Sequence, residues 1–354
     1  MRVFVTGASG FLGTRMVPTL ASWGHQVFAL ARSASSSEKV RVLGATPIMG
    51  DLATPETLSL PKIDAVVHAA AYFRFAGPRA PYFRANVGGT SALLKAASRA
   101  GATNFIYISA GGVIMDDRGS PIHNADESAP TFPNSFSAYI ASKARGEAAV
   151  LAASGPGFRT IAIRPPAIWG PGDPFSRGLT DAIASGSFAF IERGDYPFAT
   201  CHVDNAIEAV QCALERGTSG RAYFIRDHEI TTFREFIAML ADLRGASIEG
   251  LKSVSYRLAF TIGRLMEIGA ALRLSRNDPP LSRPCQKSKH HPVIEWIAIG
   301  KAPASTGARN VLAVLQTLIS SGEAGRGDSA VLTVIEPLYR SVESSALHNG
   351  VARL

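Results

Sequence analysis

Tyr139 and Lys143 stand four residues apart in the stretch Ser135-Phe-Ser-Ala-Tyr139-Ile-Ala-Ser-Lys143-Ala-Arg-Gly-Glu147. On a helix that spacing places both side chains on one face. A phenol with an ordinary pKa of about 10 is a poor base near neutrality, but a cation held beside it favours the phenolate. The expected chemistry is exchange of a proton between Tyr139 and a substrate hydroxyl. Taken alone the spacing is a weak signal, because Tyr and Lys four apart occur on many helices.

The N-terminus supplies a second and more specific signal. Arg2-Val-Phe-Val-Thr6 suits a strand buried on both faces, Gly7-Ala-Ser9-Gly10-Phe11-Leu12-Gly13 follows at once, and the pattern predicts a helix over 14–23. Three glycines at spacing three between a strand and a helix let the backbone turn tightly and approach a pyrophosphate, and the helix N-terminus favours its charge. Gly7, Ser9, Gly10, Phe11, Leu12 and Gly13 are therefore expected to bind a dinucleotide. Gln26–Ala31 reads as the second strand, and it is followed by Arg32 with no acid before Glu38. An acid there would bond the ribose hydroxyls of NAD, whereas an arginine suits a 2′-phosphate, so NADP is expected, with NAD as the alternative.

With these residues in place the chain resembles the extended short-chain dehydrogenase/reductases, also called the NAD-dependent epimerase/dehydratase family. Further matches are Asp51-Leu52, His68-Ala69-Ala70-Ala71, Asn86-Val-Gly-Gly-Thr90, Arg164-Pro165-Pro166, Trp169-Gly-Pro-Gly172 and His202-Val-Asp-Asn205, in the family's order. The resemblance implies an α/β fold: a Rossmann-type doubly wound parallel sheet with a smaller C-terminal substrate lobe. It assigns 1–165 to the NAD(P)-binding domain with 202–228 returning to it, and 166–201 and 229–283 to the substrate lobe. It also implies Tyr139 as acid/base, Lys143 as the group that lowers its pKa and bonds the nicotinamide ribose, and Ser109 as the hydroxyl that orients the substrate oxygen. Ala110 stands where many members carry another hydroxyl, which leaves Ser109 to fill that part. Asp51 and Leu52 are implied near the adenine, and Ala69, Ala70 and Ala71 as small residues beside the cofactor. Asn86 is implied as a support of the active-site architecture, and Pro166 and the turn after it as lying beside the nicotinamide.

The remaining pattern is coarser. A helix is expected over 81–99 and another over 136–153. Asp204 is expected to cap a helix running to Leu214, and Thr231-Thr232 with Glu235 to open one more. Aromatics between Phe188 and Phe198 are expected on the substrate side, although an ordinary lobe core fits them equally. Apolar residues at helical spacing over 256–272 suggest a helix covering that lobe, or one lying on a membrane surface. Past Arg283 the family pattern stops, and 284–354 reads as an atypical, loosely ordered tail without an assigned function.

Composition narrows the classes. The chain has 354 residues, a net charge of +8 and three cysteines, with a pI near 9.6. Its basic residues are scattered rather than gathered, which argues against nucleic acid. Few cysteines and no leader before the first strand point to the cytoplasm. No metal cluster and no membrane span are expected, and a homodimer is compatible with the sequence. The phrase Thr200-Cys-His-Val-Asp-Asn205 and the neighbouring aromatics resemble the 3β-hydroxysteroid dehydrogenase branch. This implies an NAD(P)-dependent oxidoreductase acting on a secondary alcohol or ketone of a bulky apolar, steroid- or lipid-like molecule. The rivals are a nucleotide-sugar epimerase/dehydratase and a non-catalytic dinucleotide sensor. A sensor would have no use for Tyr139 and Lys143.

Overall fold

β1 (Arg2–Thr6), β4 (Ala65–His68) and β5 (Asn104–Ile108) are almost wholly buried, because a parallel strand covered by helices on both faces must be apolar on both. The structure, a computed structural model, describes residues 1–54, 58–74, 78–117, 122, 124–186, 188–229, 231–243, 245–255 and 259. The helix expected over 256–272 and the tail 284–354 thus lie outside the described residues, save Ala259.

Between β1 and β4 run α1 (Phe11–Ser22), β2 (Gln26–Ala31), α2 (Ala34–Val42) and β3 (Thr46–Met49). After β4 come α3 (Arg79–Phe83) and α4 (Thr90–Arg99), and after β5 come α5 (Ala138–Ala152) and β6 (Arg159–Arg164). The main sheet has seven strands in the order β11-β6-β5-β4-β1-β2-β3, with β11 spanning Arg221–Phe224. Every pairing in it is parallel. The chain winds outward from β1 to β3 and then crosses to β4 on the other side of β1. That reversal opens a crevice at the carboxyl ends of β1 and β4, where ligands of such sheets bind.

Alternation along β5 divides the core. Ile106 and Ile108 join the layer beneath α1 and α7 (Val203–Arg216), whereas Phe105 and Tyr107 join the layer beneath α4 and α5. A third, aromatic-rich core lies outside the sheet, among α6 (Pro174–Ala184), β8 (Phe190–Ile191), β9 (Pro197–Phe198) and α8 (Phe233–Asp242). Phe188, Phe190, Tyr196 and Phe198 are all 5% exposed or less. They build that core rather than line an open substrate surface, which corrects the first expectation for them.

Two further expectations change. The helix expected over 81–99 is broken into α3, a π-helical turn at Arg84–Gly89, and α4. The wider turn carries Asn86, whose side chain bonds Tyr72 and Ser142 outside the helix. Asp204 does not cap α7. The helix starts two residues earlier than such a cap requires, so the His202 imidazole accepts from the Asp204 N–H, and Asp204 pairs with Arg15 of α1 at 3.1 Å. The Thr232 capping box with Glu235 forms as expected.

The lobe is fastened to the sheet by β7 (Ala167–Trp169), which pairs with β10 (Thr200–His202), while β12 (Thr231–Thr232) pairs with β9 and β13 (Ser253–Val254) with β8. Behind β7 and β10 lies Asp227, 3% exposed. Its carboxylate accepts from Trp169 Nε1 (2.7 Å), Thr200 Oγ1 (2.8 Å), the His202 N–H (2.6 Å) and Asn205 Nδ2 (2.7 Å). Stripping several buried donors of their shared acceptor costs about 1–3 kcal/mol for each one left unpaired. Asp227→Ala is therefore expected to lower stability by about 3 kcal/mol or more in urea unfolding; an unchanged midpoint would mean that the four donors find other acceptors.

Candidate active site

The turn from β1 into α1 has the geometry of an anion cradle. Gly7 has φ +75°, and a Cβ on it would lie 2.8 Å from the Ala70 nitrogen; one on Gly13 would run into the Gly7 carbonyl oxygen. No side chain fits at either place. The N-cap of α1 is Gly10 and brings no side-chain acceptor to the first turn, which leaves the helix N-terminus suited to a phosphate. Thr6 draws the end of β4 alongside: its backbone carbonyl accepts from Ala69 N–H at 3.3 Å and its hydroxyl from Ala70 N–H at 3.1 Å. These residues fit a dinucleotide. Ser9, Phe11 and Leu12 lie within the turn between Gly7 and Gly13, and Ala71 follows Ala70 just past β4. Arg32 follows β2 and is exposed, and Asp51 and Leu52 follow β3, with the Asp51 carboxylate accepting from Ala53 N–H. Lys39 of α2, missed by sequence reasoning, donates to the Ser9 carbonyl at 2.7 Å.

The second half of the site is α5. Ser137 caps it, accepting from Ile140 N–H. An alanine-rich sequence with Gly146 lets it lie against β5 so closely that a Cβ at 146 would come within 2.6 Å of the Tyr107 hydroxyl. Lys143 is 2% exposed, and its Nζ donates to the Ile108 carbonyl and sits 4.1 Å from the Tyr107 ring centroid. Burial pulls its pKa down to about 7, with the Glu147 carboxylate opposing the shift. Glu147 is itself gripped by Arg164 of β6 through Nε (3.1 Å) and Nη2 (2.7 Å), both residues being buried. Tyr139 is half-buried, with the Phe73 ring 4.8 Å away edge-on. Ser109, 4% exposed, directly follows β5, and its hydroxyl has no protein partner among the described residues. A buried orphan hydroxyl calls for a ligand or water.

A chain of hydrogen bonds joins the two halves. Thr90 donates to the Asn86 carbonyl (2.8 Å), so its oxygen accepts from His68 Nε2 (2.9 Å), and His68 Nδ1 then accepts from Thr6 (2.6 Å). The imidazole is held neutral, and burial drives its pKa to about 3 with Lys143 adding to the effect. Asn86 makes three hydrogen bonds, to the Tyr72 backbone twice and to Ser142, and Ser142 donates to the Tyr139 carbonyl. Pro166 follows β6, and the neighbouring Pro165 carbonyl accepts from Gly111 N–H just past Ser109. Sequence reasoning missed Tyr107 and the Glu147–Arg164 pair. The alternation of β5 could have found Tyr107, two residues from Ser109 on the same face. Nothing local marks the partnership of Glu147 with Arg164.

Residues 4–252 match the 3-beta hydroxysteroid dehydrogenase/isomerase family. The chain is 40% identical over 252 residues to a 4-hydroxy-2-methyl-3-oxo-4-farnesyl-3,4-dihydroquinoline-1-oxide ketoreductase of Stigmatella aurantiaca, covering 70% of this chain and 75% of the relative. It is 31% identical to a decarboxylating sterol-4-alpha-carboxylate 3-dehydrogenase of Dictyostelium discoideum, covering 71% of this chain and 79% of the relative. Among solved structures, a dTDP-glucose 4,6-dehydratase of Streptomyces venezuelae with NAD and TYD bound superposes with TM-score 0.61 at 25% identity, over 72% of this chain and 84% of that one. The chain belongs to the 3-beta hydroxysteroid dehydrogenase/isomerase family, a branch of the extended short-chain dehydrogenase/reductases. It is an NAD(P)-dependent oxidoreductase.

The burial of Lys143 makes a stability prediction. Between its folded value of about 7 and its ordinary 10.5 the unfolded chain binds more protons, so the lysine's destabilisation grows as pH falls through that window and is complete below about 7. Lys143→Met should raise stability by about 1–2 kcal/mol near pH 6, and the gain should shrink toward pH 10. Thermal melts across pH test this; a gain independent of pH would mean that packing, not charge, is responsible.

Proposed function

We propose that this protein transfers hydride reversibly between NADP and a secondary alcohol or ketone on a bulky apolar substrate. The observation that supports the chemistry is that α5, which carries Tyr139 one turn before Lys143, brings the buried Lys143 ammonium to the Ile108 carbonyl at the end of β5, next in sequence to the orphan Ser109 hydroxyl. When bound, the nicotinamide cofactor gives or takes the hydride. Tyr139 exchanges the proton at the substrate oxygen. Ser109 donates a hydrogen bond to that oxygen and so fixes its distance from the phenol. Lys143 places a positive charge beside the phenol, which favours phenolate when an alcohol must be deprotonated.

The apolar substrate class is supported by relatives whose names include farnesylated, sterol and steroid molecules, and by Phe73, which is 37% exposed and meets the Tyr139 ring edge-on. A nucleotide sugar would call for basic side chains on the lobe. The lobe offers Arg177, which is exposed, and Arg193, which is engaged with Asp195, in surroundings that are mainly apolar.

NADP is favoured over NAD by charge at the end of β2. Arg32 is exposed, Lys39 reaches Ser9 on the glycine turn, and Glu38 in the same helix is paired with Arg41 rather than facing a ribose. Ser33 and Ser36 form a reciprocal cap that holds this segment in shape. Two cations on this segment would suit a 2′-phosphate, which NAD lacks.

In assays of secondary alcohols and ketones followed by absorbance of the reduced cofactor, Tyr139→Phe should lower turnover at least about a hundredfold while leaving cofactor affinity intact. Near-normal turnover would remove Tyr139 from the chemistry. Arg32→Ala and Lys39→Ala should each weaken NADP binding about tenfold with little effect on NAD; equal losses for both cofactors in titration calorimetry would refute the NADP assignment.

A further inference from the structure

We propose that Tyr107 is a positioning residue for Lys143, its ring face serving as the platform on which the buried ammonium is held at the end of β5. The inference rests on the proposed part of Lys143 in proton transfer. It begins with alternation on β5: Tyr107 and the position of Ser109 share one strand face, and that face is the one α5 covers. Tyr107 is 1% exposed. Gly146 admits its hydroxyl against the helix, and one turn earlier Lys143 carries Nζ to 4.1 Å from the ring centroid and into hydrogen-bond contact with the Ile108 carbonyl. Three consecutive residues thus present a ring, a carbonyl and a hydroxyl to the reacting region.

Among the described residues no carboxylate neutralises the ammonium directly. On α5 the nearest acid is Glu147, and Arg164 of β6 holds it with two hydrogen bonds. His68 of β4, its ring 5.5 Å from that of Tyr107, is locked neutral by Thr6 and Thr90. Tyr139 of α5 is the remaining titratable group facing this space. Tyr107 itself stays a neutral phenol, because burial pushes its ionisation well above the ordinary range. Its contribution to Lys143 is therefore that of a π face and not that of an anion. A cation–π contact is strongest where water is excluded, and water is excluded here on every side that the strand and helix cover. With a neutral ring and one carbonyl in direct contact, and the Glu147 carboxylate attracting only from a turn away, the ammonium depends on the ring to stay both charged and in place.

The test replaces residue 107 by Phe, by phenylalanines carrying increasing numbers of ring fluorines, and by Leu. Fluorination drains the face of the ring with little change of shape, so the series stays folded even where Leu does not. The titration of Lys143 is read by NMR of protein with 13C-labelled lysine, without cofactor, the signal being identified by its loss in Lys143→Met. Tyr107→Phe should titrate like the parent. The fluorinated series should step downward, and Leu should fall by about one pH unit, with the alkaline limb of kcat/KM moving by the same amount. A Lys143 titration that ignores fluorination overturns the proposal. If the titration steps down while the kcat/KM limb stays in place, Tyr107 does hold the ammonium and the catalytic reading of Lys143 is what fails.

Discussion

Keeping a positive charge out of water between α5 and β5 is the demand that the surrounding structure answers. Desolvation alone pulls the Lys143 ammonium toward neutrality, and a buried cation without partners would simply lose its proton. The answer is distributed. The Ile108 carbonyl takes one N–H, the Tyr107 ring takes one face, and Glu147 adds attraction from a turn away while its own hydrogen bonds go to Arg164. Had Glu147 paired with Lys143 directly, the ammonium would be pinned to a carboxylate. Arg164 prevents this by taking Glu147 in a bidentate grip, the geometry in which guanidinium outcompetes ammonium.

A parallel sheet supplies the rest, because it delivers every strand's carboxyl end to one edge. Gly7, Arg32, Asp51, Ala69, Ser109 and Pro166 are far apart in the chain, yet each follows a strand that ends there. The edge is held in register by polar groups rather than by packing. The run from Ala70 N–H through Thr6, His68 and Thr90 to the Asn86 carbonyl uses each hydroxyl as donor and acceptor in turn. It requires a neutral imidazole. The unfolded chain takes up a proton on His68 below its ordinary 6.5 and the folded chain does not until about 3, so acid in that window works against the fold. Such a network is fully satisfied or costly, which is why it specifies one arrangement.

The lobe is built on different terms. Its core is aromatic, stacked and edge-on by turns, with Phe198 against Phe233 at 5.1 Å and Phe236 at 5.4 Å. These rings give a stable wall, and Asp227 ties that wall to the sheet through Trp169 and the start of α7. Stability in the lobe therefore comes from apolar area and one clustered acceptor, while the sheet edge retains groups that oppose folding. A chain that buries Lys143 and leaves the Ser109 hydroxyl without a protein partner among the described residues carries a local penalty at the end of β5, where the proposed chemistry lies.

Features that a single stretch of chain can encode are legible in the order of its residues. The glycine spacing of the first turn, the apolar runs of the parallel strands, the Thr232–Glu235 capping box and the four-residue step from Tyr139 to Lys143 are all local patterns, set by backbone sterics and helical period. Arg32 is legible for the same reason, since its place at the end of β2 follows from counting. Other features depend on pairs that only folding brings together. Glu147 and Arg164 are separated by a turn and a strand, Lys39 reaches back across 30 residues to Ser9, and the Tyr107 ring meets Lys143 only because α5 packs on that face of β5. The π turn around Asn86 and the cap of α7 by His202 are likewise decided by neighbours, because backbone energies for one more helical residue are small beside the hydrogen bonds those neighbours offer. Sequence by itself determined which groups could do the chemistry; the tertiary structure decided their charge, since the energy of an ion depends on how much water and which dipoles surround it, and those are properties of the packed chain alone.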